Sequence, residues 1–350
     1  MYQGLTTQPV PSGAAWQREL MDEHVARAAH PPDGTVDGRG LGRRALELVE
    51  RLCTAGPRPQ HGMGLANTRR LLRDALEEAG VAPYLGNQFE ARDASGVVNL
   101  LGVVPGRERH LRPLLLATHY DGPPASPGAG DNAAAVALVV TLAPRLAAAH
   151  FERDVIVALL DGGDVARPPA LPHGADVFMR SHRRHDLKAA LLVDRIGHAV
   201  AAGNGPALLV VGVESEPRLP GVLDSIAALP GWLAPVARHR LGAAPAADVF
   251  RSHETPYLWI TAGHVPHHRG GDDRPDRLDE ATLGHTLDTV QALLAGLAST
   301  RLPGPYVDHD IGDLERRAWQ RHGLGGDGAF DALRLALPRL DARGSDAVPD

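Results

Sequence analysis

The sequence is 350 residues long and contains 43% hydrophobic and 22% charged residues, which are ordinary values for a globular protein. Its formal net charge of −6 provides no global attraction to nucleic acid or to an anionic membrane, so neither is expected as a partner. The single cysteine, Cys53, excludes an intramolecular disulfide and a thiolate cluster. Any bound metal must therefore be held by histidine and carboxylate.

The two ends of the chain differ in composition from its centre. Residues 1–38 mix polar residues with PPDG and predict an N-terminal extension with one short helix at 16–29. Residues 39–300 predict one large domain. Residues 301–350 are rich in proline, glycine and charge, and predict a C-terminal appendage with short helices at 313–322 and 329–340. The N-terminus lacks a basic start and an apolar stretch, which predicts a cytoplasmic protein.

The central region alternates between apolar runs and segments with helical spacing. Two helices are predicted first, at 43–52 and 67–79. Compact runs rich in valine and leucine then predict buried strands at 97–104, 113–117, 155–160, 189–193, 208–213 and 257–261. Helices are predicted between and after them, at 133–149, 175–185, 221–229 and 280–297. This alternation predicts an α/β fold: a mostly parallel or mixed central β-sheet sandwiched by helices in three layers, α/β/α.

Potential metal ligands lie where the predicted strands end. His119 and Asp164 follow two of the strands, Asp194 directly follows a third, and His268 comes shortly after the last. Asp131 lies at the start of the long alanine-rich helix. Taken alone, each residue has an ordinary explanation, such as a helix cap or a turn. Together they fall at the edge where open α/β sheets bind ligands, and this joint pattern favours a metal site.

Two imidazoles and three carboxylates suit zinc, which accepts nitrogen and oxygen ligands. One or two Zn²⁺ ions are expected, and a pair would share Asp131 as the bridging ligand. Such a pair can generate hydroxide near neutral pH and polarise a carbonyl group, as amide hydrolysis requires. Asp121, two residues after His119, is placed to orient the imidazole.

Six segments of the central region carry a family resemblance: AGPRPQHGMG (55–64), VVNLLGVVPG (97–106), LLLATHYDG (114–122), GAGDNAAAVALVVTLA (128–143), LLVDRIG (191–197) and HHRGGDDRPDRLD (267–279). They resemble segments of the zinc aminopeptidase superfamily, which also contains glutaminyl cyclases and carboxypeptidase Q. The resemblance covers about residues 43–297. The resemblance implies a zinc-exopeptidase-like catalytic domain over 39–300.

The resemblance also implies a distribution of the ligands between two ions. His119 and Asp194 would hold one zinc, Asp164 and His268 the other, and Asp131 would bridge them. His267 and His264 are weaker alternatives to His268, because the spacing to the following aspartates fits in more than one way. Asp248, in ADVF, falls where the family places an aspartate near the substrate.

The segment ALLDGGDVA (158–166) departs from the family pattern of Gly-Glu-Glu. The first glutamate of that pattern serves as general base, and Gly163 occupies its position. A positioned base contributes roughly 10²–10⁴-fold to the rate, so its loss predicts weakened hydrolysis. Asp161, Asp248 and Glu254 are candidate substitutes.

The sequence is therefore compatible with three functions. The first is an aminopeptidase-like amide hydrolase acting on a peptide or a small aminoacyl substrate. The second is a glutaminyl cyclase-like aminoacyltransferase. The third, suggested by Gly163, is a noncatalytic homologue that binds a metal or a peptide.

Overall fold

The computed structural model describes residues 38–60, 62–84, 86–163, 172–182, 186–198, 200–202, 205–226, 232–240, 245–263 and 267–323. The helices predicted at 16–29 and 329–340 lie outside these ranges, as do Asp164 and His264. The division of the chain at residues 38 and 300 stays a prediction.

Ten strands form one mixed sheet in the described ranges. They are β1 (Ala82–Pro83), β2 (Glu90–Arg92), β3 (Val98–Val104), β4 (Leu114–His119), β5 (Val155–Leu160), β6 (Ala189–Asp194), β7 (Val200–Ala202), β8 (Gly205–Val211), β9 (Trp232–Val236) and β10 (Tyr257–Thr261). The main path through the sheet is β1-β3-β5-β4-β6-β10-β8-β7, with β2 also pairing with β3 and β9 with β8.

The centre of the sheet is parallel. Strands β5, β4, β6 and β10 lie side by side and run in the same direction, so their carboxyl ends share one edge. The chain passes from β4 to β5 on one side and later to β6 on the other side of β4. The order of the strands therefore reverses at β4, which is where open α/β sheets form ligand-binding crevices.

Helices cover both faces of the sheet. The described helices are α1 (Gly38–Thr54), α2 (Met63–Glu78), α3 (Ala134–Ala148), α4 (Gly174–Arg180), α5 (Leu219–Ser225), α6 (Pro245–Ser252), α7 (Glu280–Ser299) and α8 (Gly312–Arg321). Helices α1, α2, α3, α5 and α7 contribute to one hydrophobic core, and α4, α6 and α8 contribute to the other. Alternate residues of β4 enter the two cores, with Leu116 on one face and Leu115 on the other.

The predicted α/β/α fold is confirmed. The six apolar runs correspond to β3, β4, β5, β6, β8 and β10, whose described residues are largely buried. Strands β1, β2, β7 and β9 and helix α6 were not predicted. Three of these strands have only two or three residues, too few to show a periodic pattern.

Two further segments clarify the packing. Ala129–Ala148 is long and apolar enough to cross a membrane, but most of it is buried inside the structure, where α3 packs between the sheet and helices α1 and α7. Helix α8, in the predicted C-terminal appendage, packs on β9. Its buried Trp319 donates a hydrogen bond to the Pro235 carbonyl, so this helix is joined to the sheet.

Candidate metal centre at the carboxyl edge of the sheet

Three of the five predicted ligands come together at the carboxyl edge of the sheet. His119 is the last residue of β4 and Asp194 is the last residue of the adjacent β6. His119 Nε2 lies 3.2 Å from Asp194 Oδ1 and 3.9 Å from Asp131 Oδ1. The three ligand atoms all lie within 4.8 Å of one another. We call His119, Asp131 and Asp194 the carboxylate group.

The geometry of the carboxylate group fits a zinc ion. Bonds of about 2.0–2.1 Å in a tetrahedral arrangement separate neighbouring ligand atoms by about 3.3 Å. The 3.2 Å from His119 Nε2 to Asp194 Oδ1 matches that separation, and the 3.9 Å to Asp131 Oδ1 is longer than it. All three side chains are also largely buried, with exposed fractions of 14%, 8% and 17% for His119, Asp131 and Asp194. Two buried carboxylates in one cluster carry more negative charge than the Arg195 guanidinium beside Asp194 neutralises by itself, so this position favours a bound cation.

Asp121, the residue predicted to orient His119, lies beside the His119 imidazole. His119 Nδ1 lies 3.2 Å from Asp121 Oδ1 and 3.1 Å from the Asp121 carbonyl oxygen. Both oxygens are acceptors, so a hydrogen on Nδ1 satisfies this contact and leaves Nε2 directed toward Asp194 and Asp131. Burial opposes the charged imidazole, but the hydrogen bonds to Asp121 and Asp194 raise the pKa of His119 well above its ordinary value.

The two oxygens of Asp194 have separate partners. Oδ1 faces His119, whereas Oδ2 accepts hydrogen bonds from the Arg195 guanidinium at 2.8 and 3.1 Å. Burial alone would oppose ionisation. The Arg195 charge and the His119 contact nevertheless hold the pKa of Asp194 well below its usual range. Asp194 is therefore a carboxylate at neutral pH, with one oxygen directed toward the other ligands.

Asp131 is positioned by a loop that a second aspartate anchors. Asp273 is completely buried, and its carboxylate accepts hydrogen bonds from the backbone N–H groups of Gly130 and Asp131 at 2.7 and 3.1 Å. Arg58, also buried, donates to the carbonyls of Pro127 and Gly128 on the same loop. Asp131 is not the N-cap of α3, because that helix begins at Ala134 with Ala133 as its cap.

His268 lies in a second group, which also contains His198 and His267. Their ligand nitrogens lie within 4.8 Å of one another, and the Nε2 atoms of His198 and His267 are 3.4 Å apart. Burial, followed by the effect of the neighbouring His267, lowers the pKa of His198 to about 4. Asp164, the predicted partner of His268, lies outside the described residues, so the implied second zinc site stays a prediction. We call these three residues the histidine group.

Gly163 is packed tightly against the carboxylate group. A Cβ atom at this position would lie 2.2 Å from His119 Cβ and 2.4 Å from His119 Cγ. The Gly163 N–H also donates to Asp121 Oδ1 at 2.8 Å, which ties this backbone to the residue that orients His119. The space that a longer side chain would need is filled by His119.

The two other candidate catalytic carboxylates have partners of their own. Asp161 is 1% exposed and accepts a hydrogen bond from the Val98 N–H. Burial raises its pKa to about 6. Asp248 is half-exposed and forms a two-point ion pair with Arg238, with distances of 2.9 and 2.7 Å. Their catalytic roles stay predictions.

Sequence reasoning did not identify Arg58, Arg195, Asp273 or His198 as parts of this edge. Arg58 and Asp273 lie in segments that carried the resemblance, but their contacts are with backbone groups far away along the chain. The Asp273 contact with Gly130, for example, spans 143 residues. His198, four residues after Asp194, had a weak signal in its proximity to a predicted ligand.

The fold and the carboxylate group together define an α/β protein with a candidate histidine–carboxylate metal site at the switch point of its sheet. More specifically, the chain belongs to peptidase family M28, whose family model matches residues 99–294. Membership implies a metal cofactor, typically zinc. A comparison with curated protein sequences gives no significant match.

Solved structures show the same fold at low sequence identity. The chain is similar to a glutaminyl cyclase from Tannerella forsythia, with a TM-score of 0.56, 16% identity and coverage of 74% of this chain and 99% of that chain. The chain is also similar to a Zn-dependent exopeptidase from Parabacteroides distasonis, with a TM-score of 0.58, 14% identity and coverage of 77% of this chain and 100% of that chain. A third similar structure is a leucine aminopeptidase precursor from Bacteroides thetaiotaomicron, with a TM-score of 0.57, 15% identity and coverage of 78% of this chain and 99% of that chain.

Proposed function

We propose that the protein is a zinc-dependent, aminopeptidase-like amide hydrolase that acts on a peptide or a small aminoacyl substrate. The observation that carries the proposal is the carboxylate group, in which His119, Asp131 and Asp194 converge at the switch point of an M28 fold. Zinc bound by these residues would supply a Lewis acid and a water molecule with a lowered pKa.

The protein's own residues supply orientation and charge. Asp121 directs the His119 imidazole, and Arg195 engages one oxygen of Asp194 and leaves the other toward the group. Asp273 holds the backbone on both sides of the Gly130–Asp131 bond. These contacts reduce the freedom of each ligand before a metal binds, which favours a single coordination geometry.

The weak point of the hydrolase proposal is proton transfer. Gly163 has no side chain that could accept a proton, and its backbone is packed against His119. We therefore expect turnover roughly 10²–10⁴-fold lower than with a positioned general base. This same observation favours a second candidate function, a noncatalytic homologue that retains the metal and binds a peptide.

A product analysis on the zinc-loaded full chain tests the proposal. The protein is incubated with a panel of aminoacyl amides and with a peptide that begins with glutamine, and the products are identified by mass spectrometry. Hydrolysis adds water, whereas glutaminyl cyclisation releases ammonia. Asp194→Asn should abolish turnover, while the exposed Asp272→Asn is the matched control.

The outcomes separate the candidates. Hydrolysis by the wild type and by Asp272→Asn, but not by Asp194→Asn, supports the proposal. Cyclisation without hydrolysis would replace it with the cyclase-like function. If the zinc content is confirmed and no substrate in the panel is converted, the hydrolase proposal fails and the noncatalytic candidate is preferred.

A further inference from the structure

The histidine group is formed by two loops that are distant in sequence. His198 follows β6, while His267 and His268 follow β10, and β6 and β10 are neighbours in the parallel part of the sheet. The ring centroids are 4.9–5.5 Å apart and the ring planes are inclined by 55–79°. The rings thus meet at their edges, where the nitrogens are, and do not stack on their faces.

Gly130 makes room for these rings. A Cβ atom on Gly130 would lie 2.6 Å from His268 Nε2 and 3.0 Å from His198 Nε2. Gly130 directly precedes Asp131, so the histidine group borders the carboxylate group. His268 is 5% exposed, and the other two rings are partly buried.

Such a cluster is electrostatically suited to a bound cation. Protonated imidazoles at this separation would repel one another, and each neutral imidazole presents a nitrogen lone pair. Tetrahedral zinc with nitrogen ligands needs a separation of about 3.3 Å between them. The 3.4 Å between His198 Nε2 and His267 Nε2 matches that requirement.

We propose that His198, His267 and His268 form a three-imidazole site for a divalent transition-metal ion of the Zn²⁺ class. This ligand set differs from the pairing of His268 with Asp164 that the family resemblance implies, because it adds His198 and His267 and needs no carboxylate from position 164. The inference deepens the proposed function, since the ion would be the second metal at the same edge of the sheet.

Metal binding without any catalytic assay tests this site. The full chain is stripped with a chelator and dialysed against graded Zn²⁺, and bound metal is measured by elemental mass spectrometry. Parallel titrations with Co²⁺ follow its visible absorption, which reports a change in the ligands. The variants are His198→Gln and His267→Gln, with the exposed His110→Gln as the matched control. Circular dichroism establishes that each variant is folded.

The wild type and His110→Gln should bind two ions. His198→Gln and His267→Gln should each bind one ion at least about 100-fold more weakly, with an altered Co²⁺ spectrum. Asp194→Asn should weaken binding of the ion at the carboxylate group and leave binding of the ion at the histidine group unchanged. If folded His198→Gln and His267→Gln bind both ions like the wild type, or if the wild type binds one ion that only Asp194→Asn removes, the three-imidazole site is overturned. The second of these results leaves the carboxylate group, and with it the proposed function, intact.

Discussion

Introducing a side chain at position 163 tests the packing of the carboxylate group most directly. Ordinary contacts between carbon atoms are about 3.5–4.0 Å. The Cβ of Gly163→Ala would lie 2.2 Å from His119 Cβ, so the strand end or the loop must move by more than about 1 Å. Overpacking usually costs about 1–3 kcal/mol, and this overlap involves atoms next to the backbone, so we expect about 3 kcal/mol.

The same displacement should weaken zinc binding. Because His119 Nε2 is held within 3.2 Å of Asp194 Oδ1, movement of the ring separates two ligands, and we expect about a 10–100-fold loss of affinity. Gly163→Glu, which introduces the side chain that the family pattern has there, should show the same defects and no gain in hydrolysis. The matched control is Gly221→Ala in α5, where an added Cβ meets nothing within 4 Å and stability should be unchanged or increased by up to about 1 kcal/mol.

Urea unfolding and equilibrium dialysis against Zn²⁺ measure the two effects. Gly163→Glu would contradict this prediction if it unfolded at the wild-type urea concentration, bound zinc with wild-type affinity and hydrolysed substrate faster than the wild type. That result would mean that the loop accommodates a carboxylate beside His119 without displacing it.

Three further predictions concern the residues around the site. Asp273→Asn replaces one of two accepting oxygens with a donor, so the free energy of unfolding in urea should fall by about 2 kcal/mol and zinc affinity about 10-fold. The exposed control Asp272→Asn should remain near wild type, and equal behaviour of the two variants would contradict the anchoring role of Asp273. Arg58→Met removes two hydrogen bonds to the loop that contains Asp131 and should reduce the free energy of unfolding by about 3 kcal/mol. The exposed control Arg43→Met should change it little, and a reduction below about 1 kcal/mol for Arg58→Met would contradict the prediction. The pKa of Asp161 is raised to about 6 in the folded protein, so its ionisation destabilises the fold as the pH rises from about 4 to 6. Asp161→Asn should therefore raise the free energy of unfolding by up to about 3 kcal/mol at pH 8 and leave it unchanged below pH 4. A gain in stability that does not depend on pH, or a complete loss of turnover, would assign Asp161 another role.

The sequence alone was sufficient for the class of fold and for part of the site. Long apolar runs can only be buried strands or helices, and their alternation with helical segments leads to a covered parallel sheet. His119 and Asp194 could be placed at one edge because both end a strand, and parallel strands end on the same side. The departure from the family pattern at Gly163 is likewise evident from the order of the residues.

Tertiary structure alone decided what surrounds those ligands. Asp273 reaches Gly130 across 143 residues of sequence, and His198 meets His267 across 69. No local pattern encodes such pairings, because they depend on which strands become neighbours and on how the loops after them pack. The absence of a side chain at Gly163 is a property of the sequence, but the filling of its space by His119 arises only when β4 and β5 lie side by side.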